Sequence, residues 1–185
     1  MPYIAHLMHV SALVWEAGGS EDQAIAALLH DAVEDQGGPE LLEKIRDRYG
    51  EPVARMVADC SDSDGVEEPL PWPERKVEHL RHLETAGADS LLVVAADKVN
   101  NVESMIAALQ EEGSAVWARF NADAEQQVWY YQSIWEILSD RLGPDLSIVK
   151  RLDRGVGLLS VWAAVPRGGA AAPPPPPTID AGASF

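Results

Sequence analysis

The chain has a single cysteine, Cys60, among its 185 residues. That excludes an internal disulfide and any zinc site built from a cluster of thiolates, and it suits a reduced, cytoplasmic protein. No run of 18 or more apolar residues occurs, so no membrane-spanning helix is expected. The opening residues, Met1-Pro2-Tyr3-Ile4-Ala5-His6, lack the basic and apolar regions of a signal peptide. Positive charge is scarce: 14 Lys and Arg stand against 30 Asp and Glu, a formal net charge of −16. A field of that sign argues against nucleic acid or an anionic membrane as partner, because phosphate contacts need clustered Lys and Arg. It leaves room for a small phosphorylated ligand, which a divalent cation and two or three local basic groups can hold. Strand alternation and hairpin turn signals are missing too.

Helical signals fill most of what remains. Ser20-Glu21-Asp22-Gln23 reads as a capping box that opens a helix through about Val33. Pro39 and Gly50 bracket a helix over Glu40 to Tyr49. Shorter helices are expected over Val53 to Asp59 and Glu74 to Thr85, with an acidic loop, Ser61 to Pro71, between them. Two long ones run from Ala88 to Glu111 and from Asp123 to Arg141. The expectation is an all-α, HD-type helical bundle over residues 1–153. A low-complexity Ala/Pro/Gly tail, 154–185, contains five consecutive prolines and is expected to be disordered; within it Val156 to Val165 could pack on the domain or move freely. His79 and His82 sit among Arg75, Lys76, Arg81 and Glu84, which reads as a solvated charged face. Trp129-Tyr130-Tyr131 and Trp135 read as packing residues.

Two apolar helices are interrupted by ionisable residues. The stretch Ala26-Ala27-Leu28-Leu29 delivers His30-Asp31 and then Glu34-Asp35. On a continuous helix His30 would sit above Glu34, and Asp31 above Asp35. The run Leu91 to Ala96 delivers Asp97-Lys98, with Asn100 and Asn101 next, and His6 and His9 lie on an early helix. Such groups beside an apolar core are costly unless something compensates them, and bundles place metal ligands inward from separate helices in this way. Imidazole and carboxylate without thiolate suit Mn²⁺, Fe²⁺, Co²⁺ or Zn²⁺ with coordination positions left for water and a phosphate oxygen. The ion would acidify a water and polarise the phosphoryl group while a nearby carboxylate handles the proton. A His-Asp doublet alone is a common chance pairing, and Asp97 could be a surface acid paired with Lys98; six preceding apolar residues disfavour that. Negative charge at a helix C-terminus opposes the macrodipole, so Glu34-Asp35 is a poor structural terminus.

Taken in order, Pro2-Tyr3-Ile4-Ala5-His6, Leu29-His30-Asp31-Ala32-Val33-Glu34-Asp35 and Ala96-Asp97-Lys98-Val99-Asn100-Asn101 resemble the HD-superfamily hydrolase domain of the RelA/SpoT homologues. The likeness is greatest to the stand-alone small alarmone hydrolases, the metazoan SpoT homologues among them, and covers roughly residues 2–142. The resemblance implies manganese-dependent 3′-pyrophosphohydrolysis of ppGpp, pppGpp or their adenosine analogues. By motif it makes His6, His30, Asp31 and Asp97 the metal ligands and Glu34 and Asp35 the pair that activates water. Lys98 and Asn101 then belong to the nucleotide site. Family members carry a basic stretch just before the Pro-Tyr, which is not found here; Arg75, Lys76 and Arg119 are the candidates to replace it in substrate binding. Two other readings stand beside this one. The chain could be an HD phosphohydrolase for another nucleotide phosphoester, or an HD module that binds nucleotide or a protein partner without turnover.

Overall fold

Turn and cap signals in the sequence become helix boundaries in a computed structural model, which describes residues 2–34, 38–61 and 71–164. Helix α1 (Tyr3–Glu16) is followed by α2 (Glu21–Leu29), which opens on the expected box: Gln23 N–H donates to Ser20 Oγ and Ser20 N–H to Gln23 Oε1. Helix α3 (Gly38–Tyr49) is joined to α4 (Glu51–Cys60) through Gly50 alone. Gly50 has φ +90°, a left-handed conformation in which a side chain would be strained. Then come α5 (Trp72–Leu83), α6 (Ala88–Glu112), a 3₁₀ turn (Gly113–Arg119), α7 (Ala124–Leu142) and α8 (Ser147–Ala163). No strand occurs among the described residues, and the fold is all-α. None of their helices is long and apolar enough to cross a membrane.

Helix α6 is the axis. Every residue from Ser90 to Asp97 is buried, and a helix apolar on all sides belongs in the middle. α1, α2, α4, α7 and α8 all pack on it, while α3 pairs with α4 and α5 rests on α7. Two polar ties fix α5. Arg141 of α7 donates to the carbonyls of Leu83, Glu84 and Ala86 at its C-terminal end, satisfying groups that a helix end leaves open. Buried Asp59, from α4, accepts from Ser90 Oγ at 2.5 Å and meets His82 Nε2 at 2.9 Å.

Three expectations need correction. The second helix stops at Leu29 instead of continuing to Val33. The domain boundary at 153 falls inside α8, whose Leu152, Val156, Leu159 and Trp162 are buried. Its apolar spacing is masked in the sequence by Gly155 and Gly157, yet Gly155 is what lets α8 approach α6, since a Cβ there would meet Val102 Cγ1 at 2.7 Å. His79 is not on a solvated face: it is buried with Leu80 and Leu83 on the inner side of α5, its ring 6.3 Å from that of Tyr130. His82 is half-exposed, as expected of both. Tyr130 and Tyr131 do pack inside, whereas Trp129 is exposed. Asp35, most of the acidic loop (62–70) and the tail from 165 onward lie outside the described residues.

Candidate metal centre

Four of the groups singled out in the sequence, His6, His30, Asp31 and Asp97, meet at one place. α1 carries His6, the end of α2 carries His30, Asp31 follows it, and α6 carries Asp97. His6 Nε2 and His30 Nε2 are 3.3 Å apart, and Asp97 Oδ1 is 3.4 Å from each. Asp31 Oδ1 lies 3.1 Å from His30 Nε2, and its Oδ2 lies 3.7 Å from His6 Nε2. His9, one turn further along α1, is exposed and is not among the residues of the cluster.

The break after Leu29 falls at the two adjacent candidate ligands, His30 and Asp31. Neighbouring residues of a regular α-helix diverge by about 100°, so His30 and Asp31 would point apart. The chain instead passes through a turn at these residues and a wider, π-type turn at Val33 and Glu34; such local unwinding often accompanies functional sites.

The donors fit a divalent ion. His6, His30 and Asp97 offer atoms within 4.8 Å of one another. The triangle of 3.3–3.4 Å sides formed by Nε2, Nε2 and Oδ1 has its centre about 2 Å from each corner, close to ordinary bond lengths from zinc to nitrogen or oxygen. The other ring nitrogens are occupied elsewhere: His30 Nδ1 by the Ala27 carbonyl at 2.8 Å and His6 Nδ1 by Asn100 Oδ1 at 2.7 Å. Both Nε2 atoms are thereby aimed at the same point, as metal-ligating histidines require.

Around Asp97 the charge is balanced in detail. Its Oδ2 accepts from Lys98 Nζ at 2.7 Å and its Oδ1 from Asn101 Nδ2 at 2.6 Å. Burial opposes its ionisation, but the Lys98 ammonium and His30 outweigh burial and hold the carboxyl well below the usual range. Lys98 is raised in return: burial works against its charge and Asp97 restores it. Asp31 is lowered, His30 overcoming the burial that would raise it. Burial pushes the Cys60 thiol up, which keeps it protonated and unreactive.

With no ion bound, His30 is raised from 6.5 to about 10; burial lowers it, but hydrogen bonds and attraction from Asp31 and Asp97 prevail. A raised pKa in the fold gives stability that is complete below the unfolded value and is lost as pH climbs through the folded one. The metal-free protein is therefore expected to melt at a lower temperature at pH 10 than at pH 7, as thermal denaturation would show. Added metal should reverse the trend, because only a deprotonated ring could serve as a ligand.

The remaining candidates divide. Lys98 and Asn101 are at the cluster. Lys76 Nζ stands 4.7 Å from the centre of the Tyr130 ring, and Lys98 Nζ stands 6.0 Å from the same ring, so Tyr130 joins the two ammoniums. Arg75 is the neighbour of Lys76 on α5. Arg119, at the end of the 3₁₀ turn, pairs with Glu112, and among the described residues no contact ties it to the cluster. Glu34 is exposed three residues beyond Asp31. Sequence reasoning placed at the cluster neither Tyr3, whose hydroxyl donates to Asp31 Oδ2 at 3.0 Å, nor Tyr130, read only as a packing residue, and it assigned no role to Asn100. Tyr3 and Asn100 both lie within motifs quoted above, which was the signal available.

Comparison with known proteins agrees with this geometry. The HD-domain family profile matches residues 1–128. A guanosine-3′,5′-bis(diphosphate) 3′-pyrophosphohydrolase of Aquifex aeolicus is 27% identical over 142 residues, which span 75% of this chain and 19% of that protein. The chain thus corresponds to about a fifth of that relative's length. Among solved structures, lmo0812 from Listeria monocytogenes EGD-e is 32% identical, with TM-score 0.71 over 82% of this chain and 96% of its own. A metazoan orthologue of SpoT, described as hydrolysing ppGpp, superposes with TM-score 0.62 at 22% identity over 84% of this chain and 80% of its own, a likeness of fold. With two histidines and an aspartate converging from three helices, and the HD-domain match running over more than half its length, this chain belongs to the HD-domain family.

Proposed function

We propose that the chain is a metal-dependent 3′-pyrophosphohydrolase of alarmone nucleotides, ppGpp and pppGpp or their adenosine analogues, working in the cytoplasm with Mn²⁺ as its ion. The observation that carries the reading is the convergence of His6, His30 and Asp97 with Asp31 alongside. A closed structural site would leave no place for substrate, whereas Asp31 is a third exposed here and opens the cluster to solvent. The activity for which such relatives are named supports the substrate class.

In this reading His6, His30, Asp31 and Asp97 hold the ion, which when bound supplies Lewis-acid polarisation and a more acidic water. Glu34 and Asp35 orient the attacking water and take its proton. Hydrolysis breaks the bond between the ribose 3′ oxygen and phosphorus; hydroxide goes to the diphosphate and the proton to the ribose oxygen. Lys98 and Lys76 face the phosphate charge from their shared ring, Asn101 meets the nucleotide, and Arg75 and Arg119 complete the basic lining. The four basic groups matter because the rest of the surface repels a polyanion.

Purified protein, stripped and reloaded with Mn²⁺, is tested on ppGpp, pppGpp, pppApp and plain nucleoside phosphoesters, scoring pyrophosphate and orthophosphate separately. Pyrophosphate from the 3′-diphosphates is the expected result. Orthophosphate from other phosphoesters would replace this reading with that of a different phosphohydrolase, and metal binding without any release would make the chain a binding module. Glu34→Gln is expected to keep its metal and lower kcat by about 10²–10⁴, the usual contribution of a placed acid or base. Metal analysis beside steady-state kinetics checks it, and loss of the metal would make Glu34 a ligand instead.

A further inference from the structure

The two histidines of the cluster are held by unlike partners. His30 Nδ1 faces the Ala27 backbone carbonyl at 2.8 Å. A carbonyl only accepts, so His30 must carry its proton on Nδ1. His6 Nδ1 faces the side chain of Asn100, with Oδ1 at 2.7 Å. An asparagine amide has one accepting and one donating end. With the oxygen inward His6 is protonated on Nδ1 and its Nε2 lone pair is free; with the amide turned over, the proton moves to Nε2 and the ring cannot bind metal.

We infer that Asn100 is a positioning residue for the metal centre, setting the tautomer of His6 so that Nε2 is a ligand. The inference rests on the metal-centre reading and is independent of the substrate. Asn100 is buried, and it lies on the same face of α6 as Asp97 and Asn101, three residues beyond the first. One helix face thus supplies a ligand in Asp97, the hydrogen bond that holds that ligand in Asn101, and the hydrogen bond that orients a ligand from α1 in Asn100. The outer partner of His6 comes from the helix that carries Asp97, so a side-chain contact of 2.7 Å ties α1 to α6. Partners of this kind are worth about 10–100-fold in metal affinity.

The test uses the full chain. Asn100→Leu removes the acceptor while keeping a branched side chain, and Asn100→Asp supplies an acceptor of nearly the same size that cannot turn over. Mn²⁺ affinity is read by paramagnetic resonance of the free ion, and ring protonation in the metal-free protein by ¹⁵N magnetic resonance. Asn100→Leu is expected to bind Mn²⁺ about 10–100-fold more weakly, with proton density on His6 moving from Nδ1 to Nε2 while His30 is unchanged. Asn100→Asp is expected to bind at least as tightly as the parent. Parental affinity in Asn100→Leu, or a His6 protonated on Nε2 in the parent, overturns the inference. Should Asn100→Leu fail to fold, the parent spectrum and Asn100→Asp still decide it. A parent that binds none of Mn²⁺, Fe²⁺ or Zn²⁺ would overturn the metal centre itself, and this inference with it.

Discussion

Asp97→Ala is expected to leave the protein without bound metal and without detectable hydrolysis. Asp97 Oδ1 is the third corner of the donor triangle, and among the described residues no other carboxylate approaches both histidines as closely. The change also removes the counter-ion of Lys98, whose ammonium is mostly buried at 2.7 Å from Oδ2. Removing one partner of a buried pair costs about 3–5 kcal/mol, a large share of the 5–15 kcal/mol that holds a typical domain together. Asp97→Asn separates the two effects, since the amide still accepts from Lys98 but is a poor ligand. We expect elemental analysis to find both variants empty and thermal melts to find the alanine variant clearly weaker than the asparagine one. Stoichiometric metal in Asp97→Ala would remove Asp97 from the site.

Ending the chain at residue 153 is expected to be as damaging as any point substitution, although no candidate site residue is lost. The cut removes buried Val156, Leu159 and Trp162 and bares the side of α6 against which Gly155 sits. At about 1.5–3 kcal/mol for each fully buried apolar side chain, the loss rivals the whole stability of a domain. Ending after Ala164 keeps every one of those contacts. The pair is compared by yield of soluble protein and by urea unfolding. A stable, metal-binding protein ending at 153 would show that α8 is an accessory to the fold.

The contrast between these two predictions shows where sequence was informative. Helix starts and stops were readable because their causes are local: Ser20 and Gln23 bond each other three residues apart, and Gly50 supplies its own left-handed turn. His30-Asp31 and Asp97 stood out because charge beside an apolar run needs a reason. Other features depend on partners distant in the chain. Asn100 and His6 are 94 residues apart, and Tyr3 and Asp31 are 28 apart; no spacing rule connects them. The end of α2 at Leu29 was hidden because periodicity reports which residues favour a helix, not where two neighbouring side chains must point inward together. The packing of α8 was left open for the reverse reason: its glycines weaken the local signal and make sense only once α6 is seen against them. His79 was misplaced because charged neighbours dominate composition while a single face decides burial.

The bond from His30 to the Ala27 carbonyl has a bearing on how this centre tolerates mutation. Every amino acid brings a carbonyl, so no codon change at position 27 deletes that acceptor; only a disturbance of the α2 backbone would. His6 has no such insurance, because its acceptor is a side chain that a single base change in the gene can erase. One half of the donor pair is guaranteed by the path of the chain and the other by the spelling of one residue, and drift that disarms the centre without unfolding the protein would act on the second.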